Sequence, residues 1–214
     1  ATNPEYRKTQ SQWEECFADW IENPNPQALL NSSIFFDLYG VYGRPKWAEQ
    51  LNAFILRKAK KNNRFLACLA RNAINRTPPL GFFKDFVMEK DGRHNNSINL
   101  KRRGTAPLAD LIRVHALAIG SQSQNSFDRL EDIIEAGILP PLKGKDLQHA
   151  MEFISLVRIR HQALDIESEQ EPDNNIEPEN MSDFERRNLK DAFLVLSSAQ
   201  NFLKFRYSAN SMQG

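Results

Sequence analysis

The sequence predicts a mainly α-helical fold, and three observations carry that expectation. Apolar residues recur at helical spacing over most of the 214 residues, prolines and capping residues punctuate those stretches, and strand-like patterning is confined to two short segments. The expected architecture is a bundle of about six to seven helices with a small β-hairpin and a short N-terminal strand.

The elements follow in order. Tyr6, Trp13, Phe17, Trp20 and Ile21 fall on one helical face, and Asn23, Pro24, Asn25 and Pro26 stop it. Residues 33–36 read as a short strand with Asp37 near its end, closed by a turn through Tyr39, Gly40, Val41, Tyr42 and Gly43. Residues 46–75 return to helical period as two helices, with stripes at Trp47, Leu51, Phe54, Ile55 and at Phe65, Leu69, Ile74. They break near Asn62 and Asn63 and end before Pro78 and Pro79. Residues 80–103 are the least helical, and Asp91-Gly92 followed by Ile98 and Leu100 alternating with polar neighbours suggests a hairpin. Beyond Gly104 the stripes resume at Leu108, Leu111, Ile112 and Leu117, then Leu130, Ile133 and Ile134, then Leu147, Met151, Ile154 and Leu164. Residues 165–185 hold nine acidic side chains and no Lys or Arg, so they form an acidic loop. Ser182 with Glu185 makes a capping box for a last helix striped by Leu189, Phe193, Leu196, Gln200 and Leu203.

Composition narrows the function classes. Lys plus Arg (28) nearly balances Asp plus Glu (27), so the net charge of +1 supplies no global field for nucleic acid or an anionic membrane. No apolar run reaches the roughly 18 residues of a membrane span, and a cytoplasmic location is the default expectation. Cys16 and Cys68 lie in apolar helical patterns and read as reduced core thiols. The four histidines have no paired spacing that assigns a metal. The chain opens at Ala1 without a methionine, which suggests a piece of a longer protein.

Charge is organised locally. Between Gln50 and Lys84 there is no acidic residue, while Arg57, Lys58, Lys60, Lys61, Arg64, Arg71 and Arg76 form a positive stripe, either a solvated face or a surface for an anionic partner. Lys101, Arg102, Arg103 and Gly104 deliver cations and a glycine at the start of a helix, an arrangement that suits a phosphate and equally a solvated basic turn. Asp110 and Arg113 can pair at i, i+3. Arg158, His161, Gln162 and Asp165 share a polar face of a long helix, which lines a groove or forms a seam closed by Glu185, Lys190 or Asp191. Asp37 is a lone candidate carboxylate, and metal-dependent phosphoryl chemistry needs several.

These residues resemble a nucleotidyltransferase substrate-binding domain, the helical domain that follows a catalytic domain similar to that of PII uridylyltransferases. The resemblance spans residues 29–207. It rests on Ser33-Ile-Phe-Phe-Asp37, Pro78-Pro-Leu-Gly-Phe-Phe83, Asn99-Leu-Lys-Arg-Arg-Gly104 with Asp110-Leu-Ile-Arg113, Asn125-Ser-Phe-Asp-Arg-Leu130, Arg158-Ile-Arg-His-Gln162, and Pro172-Asp-Asn-Asn-Ile-Glu-Pro178 leading to Leu189-Lys-Asp191. It departs from the family pattern at Tyr39, where an arginine is expected, and at His115, where a tyrosine is expected.

The resemblance implies that residues 1–43 are the end of a nucleotidyltransferase domain, 44–208 the helical substrate-binding domain and 209–214 a flexible tail. It implies that Asp37 is a third metal-facing carboxylate, with the other two in an upstream catalytic domain that uses Mg²⁺ and a nucleoside triphosphate. Lys101, Arg103, Asp110, Arg113, Arg158, His161, Gln162, Lys190 and Asp191 would then bind phosphate or substrate. The acceptor would be a protein or small molecule. Cyclic-nucleotide-binding and CBS domains often accompany such chains, which implies a signalling protein. The competing expectation is a non-catalytic interaction module, in which the positive stripe meets the acidic loop of a second copy in a homo-oligomer. Nucleic-acid binding is disfavoured because most aromatics follow core periodicity.

Overall fold

The computed structural model describes residues 3–81, 85–89 and 95–210, and every structural statement below concerns these. The mainly α expectation holds. The helices are α1 Gln10–Glu22, α2 Pro26–Phe35, α3 Pro45–Lys61, α4 Asn63–Asn75, α5 Ala106–Ile119, α6 Ser126–Glu135, α7 Pro141–Glu167 and α8 Asp183–Asn210. Two short strands, β1 Ile98–Asn99 and β2 Asn175–Ile176, pair antiparallel.

Side chains close the exposed amides of several helix starts. Thr9 and Gln12 form a reciprocal capping box on α1, and Ser182 and Glu185 form the expected one on α8, with Glu185 N donating to Ser182 Oγ at 3.2 Å. Asn62 stands at the break between α3 and α4. Its Oδ1 accepts from Phe65 N at 2.9 Å while its Nδ2 donates to the Ile21 carbonyl at 2.9 Å, so one side chain starts α4 and ties it to α1. Gly120 ends α5 at φ 77°, a left-handed conformation that favours glycine.

Where a strand is expected at residues 33–36, residues 33–35 are the C-terminal part of α2 and Phe36 is its C-cap. Asn25 caps this helix through Ala28 N at 2.9 Å, Pro26 occupies its first turn, and the Ser32 and Ser33 hydroxyls donate back to the Ala28 and Leu29 carbonyls at 2.7 and 2.9 Å. Buried Ala28, Leu29, Ser32 and Phe36 then line one helical face. The expected local hairpin is present in part: Glu89 N donates to the Ser97 carbonyl at 2.8 Å and Asn96 N donates to the Glu89 carbonyl at 3.0 Å. The turn at Asp91-Gly92 lies outside the described residues. β1 finds its partner in the acidic loop, with Ile98 opposite Ile176 and Asn99 opposite Asn175.

One hydrophobic core runs through all the helices, with Phe17, Ile55, Phe65, Leu108, Ile112 and Phe193 among its buried members. Residues of α1 and α2 belong to that same core, so the expected boundary at residue 43 marks a loop and not a break in packing. Cys16 and Cys68 are free and half-buried, as expected of core thiols. Gln200 is the buried polar residue of α8, and its Nε2 donates to the Ala73 and Arg76 carbonyls at 2.9 Å each, satisfying the open end of α4. No helix among the described residues is long and apolar enough to cross a membrane.

A π-helical turn at Lys101–Thr105 leads directly into α5. Gly104 is buried within it, and a Cβ there would lie 2.8 Å from Ile154 Cγ2 on α7 and 3.4 Å from Phe193 Cε1 on α8. The methyl of a branched residue in a packed core cannot yield cheaply. Gly104→Ala is therefore expected to destabilise the protein by about 1–3 kcal/mol in denaturant titration despite the better helix propensity of alanine. An unchanged or raised midpoint would show that the approach is not tight.

His115 on α5 is buried at 1% exposure, and neither ring nitrogen has a hydrogen-bond partner among the described residues. Burial, aided by the Arg206 cation, pushes its pKa down from 6.5 to about 4. The unfolded chain binds this proton below pH 6.5 and the folded chain only near pH 4, so the histidine lowers stability progressively as pH falls between them. His115→Leu should flatten the pH dependence of stability in that window by roughly 3 kcal/mol, read from denaturation midpoints at pH 7 and pH 4.

Candidate functional site

A chain of charged side chains crosses from the end of α4 to the start of α6. Arg103 Nη1 donates to the Thr77 carbonyl at 3.3 Å, next to Arg76, whose Nη1 lies 3.9 Å from Asp110 Oδ2. Asp110 Oδ1 accepts from Arg113 Nη1 at 2.9 Å, which is the i, i+3 pair expected on α5. Arg113 Nη2 donates to Asp37 Oδ2 at 3.0 Å, and Asp37 Oδ1 accepts from Arg129 Nη2 at 2.5 Å. Arg129 is almost fully buried at the foot of α6, and its Nε donates to the Ser123 carbonyl at 2.7 Å. Asp37 is thus a clasp that joins the loop after α2 to α5 and α6.

Electrostatics explain why this clasp holds. Partial burial alone would raise the Asp37 pKa, but the Arg113 charge and the Arg129 hydrogen bond and charge outweigh it and hold the carboxyl below its ordinary 3.8. The same arrangement bears on the metal role implied for Asp37. Both of its oxygens already accept from guanidinium groups, so a cation there would meet two positive charges in place of further carboxylates. Asp37 also sits on no strand. The residues present do not fit a metal at Asp37. The motif Asn125-Ser-Phe-Asp-Arg-Leu130 assigns Arg129 no role, because nothing in the spacing of α6 shows that it turns toward a residue 92 positions away.

The basic turn differs from a phosphate loop. Asn99 Oδ1 accepts from Arg102 N at 2.8 Å, so the helical run is already capped before Lys101. The Ala106 amide donates to the Lys101 carbonyl, closing the π turn. Gly104 is buried and serves close packing against α7 and α8. Lys101 and Arg102 are exposed, and Arg102 and Arg103 both pair with Glu89, Arg102 by a short hydrogen bond and Arg103 at 3.8 Å. The hydrogen bond and charge of Arg102 and the nearby Arg103 pull the Glu89 carboxyl below its usual range despite the opposing effect of partial burial.

On the other side of this turn, Thr105 Oγ1 accepts from Arg158 Nη1 at 3.1 Å, linking the basic turn to the polar face of α7. Gln162 Nε2 reaches Asn174 Oδ1 at 3.5 Å, and His161 Nε2 lies 3.8 Å from Asp165 Oδ1. Of the expected partners on α8, Glu185 pairs with Arg160 at 2.9 Å. Lys190 turns away to Asp85 at 3.1 Å, with its ammonium 5.3 Å from the Phe86 ring centroid. Asp191 is exposed on α8. The α7 face borders a cleft of about 280 Å³ lined by His161, Asp165, Gln170, Asn180 and Glu185. Of the positive stripe, Arg76 at the end of α4 joins the row of charged side chains through Asp110, while the remaining members lie on α3 and α4, with Lys58 paired to Glu22 at 2.5 Å and Lys60 donating to the Ile119 carbonyl at 2.9 Å.

Fold and charges together define a helical bundle that carries a fixed row of arginines. The family model described as "Putative nucleotidyltransferase substrate binding domain" matches residues 63–207, and the chain belongs to that family. The match takes in α4 through most of α8 together with Arg76, Arg103, Asp110, Arg113 and Arg129. No curated protein and no solved structure gives a significant match to the chain.

The clasp predicts a pH-dependent cost of breaking it. Asp37→Asn leaves buried Arg129 without its carboxylate and should destabilise the fold by about 1–3 kcal/mol near neutral pH, toward the lower figure because Asp37 is half exposed. A carboxyl with a depressed folded pKa stabilises above 3.8 and loses that contribution as pH falls through the folded value. The difference between Asp37→Asn and the unsubstituted protein should therefore shrink below pH 3.8, and equal differences at pH 7 and pH 3 in denaturant titrations would refute the clasp.

Proposed function

We propose that this chain is the acceptor-holding lobe of a cytoplasmic nucleotidyltransferase of the protein-PII uridylyltransferase-like kind, acting in a signal-transduction protein. Family membership supports the class. The observation that supports the acceptor role is the row Arg103, Arg76, Arg113 and Arg129, four guanidinium groups paired with the three carboxylates Glu89, Asp110 and Asp37. Guanidinium groups held by carboxylates keep their remaining N–H donors in fixed directions, which suits a phosphate or a carboxylate on an acceptor. Arg103 and Arg113 would grip that group, Lys101 would add charge from the exposed turn, and Arg158, Gln162 and His161 would extend the surface along α7.

In this reading the residues of this chain bind and orient the acceptor and make no bond themselves. A nucleotidyltransferase domain of the same protein would hold Mg²⁺ and the nucleoside triphosphate. There the acceptor hydroxyl would attack the α-phosphorus, its proton would pass to a base of that domain, and pyrophosphate would leave.

The test is Arg103→Ala and Arg113→Ala in the full-length protein, followed by nucleotidyl-transfer kinetics and nucleotide binding. Loss of a charge-assisted hydrogen bond costs about 1.5–3 kcal/mol, so the acceptor KM should rise by about tenfold or more for each variant while nucleotide affinity stays the same. Unchanged transfer in both variants would defeat the assignment.

A further inference from the structure

The strongest arrangement outside the arginine row is a trio of unlike donors. His161 and Asp165 stand one turn apart on α7, and Asp173 comes from the acidic loop. Each offers one ligand atom, and the three atoms lie within 4.8 Å of one another. The geometry points to a site for a divalent transition-metal cation of the Zn²⁺ or Mn²⁺ class at His161, Asp165 and Asp173.

Several features support it. Asp165 divides its oxygens: Oδ2 accepts from the Asp173 amide at 3.3 Å, which brings the second carboxylate alongside, while Oδ1 faces His161 Nε2 at 3.8 Å. The loop donor is held by structure and not by chance. Asp173 Oδ1 accepts from Asn175 N at 2.6 Å, Asn175 Oδ1 accepts from Asn99 Nδ2 at 3.0 Å, and the Leu100 amide donates to the Asn174 carbonyl at 2.8 Å. β1 therefore pins the loop at the point where the ligand projects.

All three donors are half-buried, unlike the exposed glutamates of the same loop. Cation–donor distances of about 2.0–2.2 Å place donors roughly 3–4 Å apart, so closing the trio on an ion takes side-chain movements on the order of 1 Å. The ion would lie at the C-terminal end of α7, where the helix dipole favours positive charge. An imidazole nitrogen beside two carboxylates prefers Zn²⁺ or Mn²⁺ to Mg²⁺ or Ca²⁺, whose ligands are oxygen. His161 and Asp165 also line the 280 Å³ cleft, so positions unfilled by protein would open toward solvent.

The site does not rest on the acceptor reading and is tested without any activity assay. Untagged protein stripped by a chelator is titrated calorimetrically with Zn²⁺, Mn²⁺ and Mg²⁺ at neutral pH. One equivalent of Zn²⁺ should bind, Mn²⁺ more weakly, and Mg²⁺ weakest of the three. His161→Ala, Asp165→Asn and Asp173→Asn should each weaken Zn²⁺ binding by about tenfold or more with unchanged circular dichroism, while His149→Ala should bind as the unsubstituted protein does. Mn²⁺ bound by the protein, read as loss of the free-ion electron paramagnetic resonance signal, should follow the same pattern. No binding, binding that survives His161→Ala and Asp165→Asn, or equal affinity for Mg²⁺ would each overturn the site.

Discussion

The close approach at Gly104 is the constraint on which the polar half of the molecule depends. Because no side chain separates Gly104 from Ile154 and Phe193, the turn Lys101–Thr105 lies flat on α7 and α8. That placement sets Thr105 beside Arg158 and leaves Arg102 and Arg103 facing Glu89 and Thr77. It also fixes the preceding residues, so Leu100 and Asn99 meet Asn174 and Asn175 of the acidic loop. A larger residue at position 104 would push the turn outward and loosen both connections, because interiors at native density transmit strain to their neighbours. The wide π turn accommodates this by placing one extra residue within a helical circuit, a device that often marks functional segments.

The Asp37 clasp solves a second problem, the burial of arginine. A guanidinium taken from water costs several kcal/mol unless its donors are met, and Arg129 is nearly enclosed. Asp37 and the Ser123 carbonyl meet it from one side, while Asp37 and Asp110 share Arg113. The loop after α2 is thereby joined to α5 and α6 by charge, and the Phe36 and Phe65 ring contact, whose centroids are 5.9 Å apart, joins it to α4. This explains why α1 and α2 behave as part of the bundle even though the family match begins at residue 63.

Much of the helical framework was legible because apolar spacing agrees with a leading proline at α3 and α7 and with a capping side chain at α1, α4 and α8. Residues 33–36 were misread because Ser-Ile-Phe-Phe satisfies a strand pattern. The deciding factors are the Asn25 cap, Pro26 and the serine back-bonds, which act through backbone carbonyls that periodicity ignores. The β1–β2 pairing joins residues more than seventy positions apart, and strands of two residues carry almost no periodic signal. In the candidate site, Asp110–Arg113 was readable as a local pair, whereas Asp37–Arg129 and the meeting of Asp173 with His161 depend on tertiary placement alone. Gly104 illustrates a different limit: a glycine beside cations is equally consistent with a ligand-facing turn and with a helix crossing, and only the distance to Ile154 separates them.

The basic turn also joins regions of opposite sign. Arg103 leads toward Arg76, Arg113 and Arg129, while Thr105 and Arg158 lead toward Asp165, Asp173 and the acidic loop. Over a Debye length of about 8–10 Å these fields act separately, so a near-zero net charge conceals a local gradient. An anionic group is drawn to the arginine row and turned away from the loop, and a cation experiences the reverse. The charged surface is thus polarised along α5 and α7 by the fold itself, and its orientation is fixed by the same glycine contact that holds the turn against the core.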